Sequence, residues 1–408
     1  LPSEKKIDHI DRRLDGVVQL LEELKTQLPS PSLAPTRTAN AAASASPASH
    51  GSHCNATEAA GTVVEGDSSL TAHSVFANDL LQKVVSGDSR PKMRERIEAL
   101  RHMVEAMKTQ PAAHEMTYPH AKPIPPATLK GCDLPPIDKT LDILKLAKSH
   151  RQLGVAWVFE LFNLEHFPET CLAVYMAVDY EATSFITVNV TLHYLFWAYG
   201  NLLADRQDEY LGLSRLCGAN LETALSNLPL HLPASDEVIV ALSLGAFYAV
   251  ELAKPSLAWI LSSKASELCQ SLGYHRIGTY NHESPDDGQR KQFLFWAVYV
   301  IDKRLSLRLG RSATIQDYDV TVPDPRSNTT VDTPIVCFFG LWVIGSRLQG
   351  QIYELLYCPE AIAQPEPVRR SRVQLLVERL DNLDYLTYET SVRPTWQDIT
   401  TKESDLKA

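Results

Sequence analysis

The sequence predicts an all-α protein: a large irregular domain of packed helix pairs, preceded by a short coiled-coil helix and a disordered linker. Apolar residues recur at helical spacing from residue 137 onward, and strand patterns are scarce. A stretch rich in Pro, Ser and Ala separates this region from a heptad repeat at the start of the chain. Of the 408 residues, 44% are hydrophobic, which is enough to build a large core.

The first 28 residues carry an apolar seam that steps alternately by three and four residues, which is typical of a coiled coil. The seam consists of Ile7, Ile10, Leu14, Val17, Leu21, Leu24 and Leu28. We predict a dimerisation helix over 1–28, through which the chain forms a homodimer. The alternative is an amphipathic helix that packs on its own domain.

Three further segments follow this helix. We predict that residues 29–133 form a mostly disordered linker, because few apolar side chains are available there to offset the entropy lost on ordering. Weak helical patterns interrupt the linker at 72–108. Residues 134–390 should form the helical domain, and 391–408 a flexible tail.

Within the domain, apolar periodicity predicts helices at about 137–151, 169–182, 184–203, 206–227, 235–250, 254–273, 288–309, 335–357 and 366–387. The helix near 288–309 contains nine consecutive apolar residues, Phe293 to Ile301, and we expect it to be central and buried. Gly310 is expected to cap its C-terminus, because glycine accepts the left-handed conformation.

Charged side chains surround the end of this central helix. Asp302 directly follows the apolar run, and a buried carboxylate is costly unless it is paired. We expect Asp302 and the arginines to fix the helix end to the loop at 315–325, where Asp317 and Asp319 lie. Those arginines are Arg304, Arg308 and Arg311. The alternative is an anion or effector pocket lined by the same arginines.

Several functional classes find no support in the sequence. The net charge is −10, which is not typical of a nucleic-acid binder. Nucleophile-elbow, phosphate-loop, dinucleotide-binding and zinc-protease motifs are all absent. We therefore predict no catalytic, cofactor-binding or metal-binding residue in this chain, no membrane partner, and no enzyme activity.

The order of residues around the central helix resembles the middle homology region of fungal zinc binuclear cluster transcription factors. The motif is FLFWAVYVIDKRLSLRLGRSATIQDYDVTVPDP, which includes Trp296, with LGYHR upstream at 272–276. The resemblance covers about residues 134–360. One difference is Ser312, where the family often has proline.

This resemblance implies a nuclear protein that controls RNA polymerase II genes, with 134–390 as its regulatory domain. It implies a zinc cluster and DNA binding only through a module outside this chain, because none of the seven cysteines forms a Cys-x2-Cys pair. A small-molecule effector or a co-regulator protein is a further expected partner. Two alternatives stay open: an adaptor without its own DNA-binding module, and an all-helical enzyme.

Overall fold

The computed structural model describes residues 68–69, 72–77, 118–121, 129, 132–149, 166–177, 180–327 and 334–391. The chain divides into two compact units, one made of 1–62 with 74–110 and the other of 63–73 with 111–408. In the first unit the described residues are the helical turn at 74–77, and all other described residues belong to the second unit. The predicted coil at 1–28 lies outside the described residues, and so does the predicted tail at 391–408 apart from Ser391, which ends a helix.

The predicted all-α fold is confirmed, and none of the described residues lies in a strand. The helices are α1 (Ile137–Ser149), α2 (Phe167–Met176), α3 (Ala182–Leu202), α4 (Gln207–Ser226), α5 (Asp236–Glu251), α6 (Pro255–Ser271), α7 (Pro285–Leu309), α8 (Pro334–Ile352), α9 (Pro359–Ile362) and α10 (Glu366–Ser391). Short 3-10 turns lie at Ala204–Arg206, Ile277–His282, Asp317–Asp319 and Pro325–Ser327, and a π-helical turn at Tyr353–Tyr357 extends α8. None of these described helices is both long enough and apolar enough to cross a bilayer.

The core is built from helices that are neighbours in sequence. Helix α3 packs on α4, α5 on α6, and α7 on α8, while α5 also contacts α3 and α7. The β-branched stretch from Thr187 to Leu195 lies inside α3, within the helix predicted at 184–203, and is almost entirely buried. The buried amide of Asn189 donates to the Phe185 carbonyl at 2.9 Å, so this polar group is satisfied within the helix.

Helix α7 is the central element, since it packs on α5, α6 and α8 and is buried from Leu294 to Lys303. Ser284 caps its N-terminus by accepting the Asp287 N–H at 3.1 Å. Gly310 ends the helix with φ of 66°, and the Arg311 N–H returns to the Ser306 carbonyl at 2.9 Å. The predicted glycine cap is confirmed.

Some residues of the predicted linker are packed on the helical domain. The Ser68 hydroxyl donates to the Leu307 carbonyl at 2.9 Å, and Ser68 is buried. The His120 backbone N–H donates to the fully buried carboxylate of Glu222 at 2.6 Å, and Tyr248 donates to the same group at 2.8 Å. Most of 29–133 lies outside the described residues, so disorder over the rest of that segment stays a prediction.

Candidate functional site at the end of the central helix

The loop after α7 folds back against the helix it has just left, and the Asp302 carboxylate holds it there. Asp302 is fully buried. Its Oδ1 accepts the Thr314 N–H at 3.1 Å, and its Oδ2 accepts the Ile315 N–H at 2.9 Å. Burial raises the pKa of Asp302 above its ordinary value, and the two backbone donors and the neighbouring Lys303 oppose that rise.

A second contact joins α7 to the same loop through a buried cation. The Lys303 side chain is fully buried, and its Nζ lies 3.1 Å from Asp317 Oδ1, although outside hydrogen-bond angles. The Tyr299 hydroxyl donates to the same oxygen at 2.7 Å. Burial and the Asp317 charge together raise the pKa of Tyr299 far above its ordinary value, so this hydroxyl keeps its proton.

Gly350 on α8 makes room for this lysine. A Cβ at position 350 would lie 3.0 Å from Lys303 Cδ and 3.3 Å from Nζ. Both distances are tighter than most Cβ contacts in proteins, so the lysine side chain would have to shift by a few tenths of an ångström. The lysine therefore occupies a slot between α7 and α8 that a larger residue at 350 would narrow.

The far end of the loop is fixed by a tryptophan. Trp296 is almost fully buried, and its indole N–H donates to the Pro323 carbonyl at 3.0 Å. Its ring meets the Tyr299 ring edge to face, with centroids 5.1 Å apart. A shallow surface depression lies between Trp296, Pro323 and Pro325, and its cavity volume of about 10 Å³ is far below that of small-molecule sites.

The turn after α6 supplies the fourth attachment of the loop. His275 Nε2 lies 3.1 Å from Asp319 Oδ2, and the Arg276 guanidinium contacts Asp319 Oδ1. The backbone closes the same junction, because the Thr321 N–H donates to the His275 carbonyl at 2.9 Å. The LGYHR and acidic-turn pieces of the sequence motif therefore meet at one carboxylate.

His275 is held in its neutral form. Its Nδ1 is buried and has no hydrogen-bond partner in the described part of the chain, so a proton there would find no acceptor. Burial lowers the pKa of His275 below its ordinary value, and the nearby Arg276 charge lowers it further, against the attraction of Asp319.

We call Tyr299, Asp302, Lys303, Asp317 and Asp319 the clamp. The expectation that arginines pair with Asp302 is wrong, because its carboxylate binds backbone N–H groups that a sequence pattern does not display. The cation beside Asp317 is Lys303, and Asp319 binds Arg276 and His275.

The arginines expected in the clamp lie on other surfaces. Arg304 Nε donates to Ser346 Oγ at 3.2 Å and its guanidinium lies 5.0 Å from the Trp342 ring centroid, so it joins α7 to α8. Arg311 stacks on Trp259 of α6 at 4.6 Å. Arg308 is exposed. An anion pocket lined by all three is therefore wrong.

Sequence reasoning missed Lys303, His275 and Arg276 as partners of the loop acids. One signal was available for the lysine. Lys303 follows Tyr299 by four residues, so the two share a helix face, whereas Arg304 lies on another. No local pattern connects His275 to Asp319, since their contact depends on how the turn after α6 meets the loop.

A family model described as the fungal specific transcription factor domain matches residues 178–382, which include the clamp and α3 to α8. This match covers half of the chain. The chain belongs to this family. The helical domain described above is therefore a fungal specific transcription factor domain, as the resemblance of its central motif predicted.

Curated relatives agree with this assignment. The chain is 25% identical over 223 residues to an ABC-transporter-regulating transcription factor of Aspergillus oryzae, covering 51% of this chain and 24% of that protein. It is 23% identical over 247 residues to a protein of the same description from Aspergillus fumigatus, covering 57% and 26%. An uncharacterized transcriptional regulatory protein of Schizosaccharomyces pombe is 30% identical over 87 residues, which are 20% of this chain and 24% of that protein.

The chain spans about a quarter of the length of the two Aspergillus relatives. No solved structure matches the chain. The family and these relatives establish a protein of transcription regulation.

The first prediction concerns Asp302. Asp302→Ala should lower the free energy of unfolding by about 2–4 kcal/mol, because two buried N–H groups lose their acceptor. Thermal or urea unfolding followed by circular dichroism measures this change. Arg308→Ala is the control on the same helix, and its exposed side chain should change stability by less than about 0.5 kcal/mol. Equal effects of the two substitutions would contradict the role of Asp302.

The second prediction tests the buried ion pair. Asp317→Ala should cost about 3 kcal/mol, because it removes the carboxylate that lies 3.1 Å from the buried Lys303 ammonium. Adding Lys303→Met removes that charge with a side chain of similar length, so the double variant should recover part of the loss. A double-mutant cycle of unfolding free energies gives the coupling. Additive losses would show that the two side chains do not interact.

The third prediction concerns pH. Because the folded protein holds His275 with a lowered pKa, the unfolded chain binds more protons below the ordinary value of 6.5. The stability contributed by His275 is therefore present above that pH and is lost as the pH falls through the window just below it. His275→Gln should reduce the drop in melting temperature between pH 7 and pH 5, relative to the unsubstituted protein. An identical drop in both proteins would contradict the neutral histidine.

Proposed function

We propose that this chain is the regulatory and dimerisation part of a fungal sequence-specific RNA polymerase II transcription factor. The family match over 178–382 is the observation that carries the proposal. The relatives described as transcription factors and transcriptional regulatory proteins support it. The protein would act in the nucleus, without enzyme activity. Its helical domain would control the level of transcription that an attached activation segment produces.

DNA recognition would come from a zinc cluster outside these residues. The supporting observation is that the seven cysteines lack the paired spacing that such a cluster needs. The net charge of −10 would also oppose close approach to phosphates. The adaptor alternative differs only in lacking the DNA-binding module altogether.

The clamp suits a regulatory domain because it joins three parts of the fold. It connects the end of α7, the loop 311–327 and the turn after α6 through hydrogen bonds and ion pairs, and the side chains of Asp302 and Lys303 among them are fully buried. Buried charges are stable only while their partners stay in place. A metabolite or co-regulator protein that shifted this loop would therefore change the packing of several helices together.

A reporter assay tests the regulatory role. The chain would be placed between a heterologous DNA-binding module and an activation segment in yeast, and reporter output compared with the same fusion lacking residues 134–390. We expect the domain to change output by severalfold, and Asp302→Ala to reduce that change while Arg308→Ala leaves it intact at equal protein level. Equal output with and without the domain would contradict a regulatory role.

The coil needs a test of its own. In a parallel coil, Val17 occupies a d position, so Val17→Cys should form an interchain disulfide under mild oxidation. Gln19→Cys is the matched control, because that residue falls on the outer face of the same helix. Covalent dimer on a non-reducing gel should rise only for the first variant. Equal yields would favour the helix that packs on its own domain.

A DNA-binding measurement tests the proposal that DNA recognition comes from a zinc cluster outside these residues. We expect the 408 residues to bind promoter DNA weakly and without sequence preference in a gel-shift titration at moderate salt. Adding a zinc-cluster module should confer tight binding on the same material. Tight specific binding by the chain alone would contradict the proposed division of labour.

A further inference from the structure

Helix α10 carries more exposed large apolar side chains than any other described helix. Seven large apolar side chains on it are exposed: Val368, Val373, Leu375, Val377, Leu380, Tyr385 and Tyr388. One face of the helix packs on α8 and the π turn, where Leu376 is buried and the Arg372 guanidinium donates to the Leu355 carbonyl at 3.1 Å. Exposed apolar residues concentrated on one helix indicate a surface for association.

Part of this exposed surface forms a regular stripe. Arg370, Val373, Val377, Leu380 and Asp384 are spaced by three, four, three and four residues, which places them along one side of the helix. We call these five residues the α10 seam. Its three apolar members are 44%, 49% and 53% exposed. Three apolar side chains in a row of this spacing are what one helix presents to another.

The two charged residues of the seam have opposite signs and lie at equal distances from its middle. Val377 is central, with a cation seven residues before it and an acid seven residues after it. A second copy running in the opposite direction would present its acid to this cation and its cation to this acid. The seam is thus complementary to itself in charge as well as in apolar position.

We propose that the α10 seam pairs with the same seam of a second copy of this chain, in an antiparallel arrangement with Val377 at the two-fold axis. In this register Val377 meets the partner's Val377. Val373 lies against the partner's Leu380, and Arg370 against the partner's Asp384. Every contact occurs twice by symmetry, so the interface is closed and makes a dimer rather than a filament.

Other occupants fit the seam less well. A parallel pair of the same helices would bring the two Arg370 side chains together and the two Asp384 side chains together, and both contacts are repulsive. A partner of a single charge would match one end of the seam and be repelled at the other. Arg370 already contacts Glu366 at 2.6 Å, but both side chains are more than 70% exposed, so that pair contributes little and leaves further guanidinium donors available.

This dimer differs from the proposed coil at 1–28 and does not depend on it. A seam on a single helix buries less than the roughly 1,600 Å² of a standard stable interface, so we expect weak association at micromolar concentrations. Where the coil also forms, it would raise the effective concentration of the two seams and strengthen their pairing.

The first test uses the full chain with the coil disabled by Leu14→Glu and Leu21→Glu. Sedimentation velocity should still show a concentration-dependent dimer. Adding Val377→Lys should leave only monomer, because two ammonium groups would meet at the axis. Leu375→Lys is the matched control, since Leu375 lies on the same helix outside the seam and is 40% exposed. A coil-disabled chain that is monomeric at all concentrations, or equal effects of the two lysines, would overturn the proposal.

The second test uses charge reversal in the same coil-disabled chain. Arg370→Glu alone and Asp384→Arg alone should each weaken dimerisation about tenfold, because each places two like-charged pairs in the interface. The double variant Arg370→Glu/Asp384→Arg should recover dimerisation, since the opposite charges meet again only when the helices are antiparallel. A double variant weaker than both single variants would overturn the antiparallel register. Unchanged melting temperatures would confirm that these exposed substitutions leave the fold intact.

Discussion

The buried carboxylate of Asp302 is the constraint on which the end of the central helix depends. It has no contact with solvent, and an ion removed from water is stable only where other dipoles or charges replace the hydration. The N–H groups of Thr314 and Ile315 provide this replacement, so the chain must turn back after Gly310 and pass within hydrogen-bond distance of its own helix. The path of the whole loop follows from this requirement.

A second buried charge lies beside the first and makes the arrangement cooperative. Lys303 is also without solvent contact, and its positive charge favours the ionised form of Asp302 while its Nζ lies next to Asp317. The loop supplies the backbone donors for Asp302 and the Asp317 carboxylate for Lys303. If the loop moves away, both buried ions therefore lose their partners at once. Low local dielectric strengthens such a network when it is complete and makes a partial one costly. The loop and the helix end should therefore behave as one unit.

Much of the fold could be predicted from the sequence because its determinants are local. Apolar periodicity placed most helices within a few residues of their observed ends, and the cap at Gly310 was predicted from a single residue. The helix predicted at 169–182 ends earlier, at Met176, and the short helix α9 was not predicted. The contacts of the clamp could not be predicted from such local sequence features. Asp302 binds backbone groups, which every residue carries, and His275 reaches Asp319 across 44 positions in the sequence. Arginines were expected as partners because they lie nearby in the sequence, but Asp302 binds backbone N–H groups and the cation beside Asp317 is Lys303.

The seam on α10 and the clamp on α7 represent opposite uses of charge. In the clamp, the fully buried Asp302 and Lys303 and the partly buried Asp317 and Asp319 find their partners within one chain, which favours a single arrangement of the loop. In the seam, Arg370 and Asp384 are exposed at the two ends of an apolar row, where each is too far along the helix to pair with the other. Charges so placed add little to the stability of an isolated chain, but across a two-fold axis they select one register and one direction of pairing. A domain with a rigid centre and a self-complementary edge can transmit a change in its core to the geometry of a dimer, because α8 contacts both the central helix and α10.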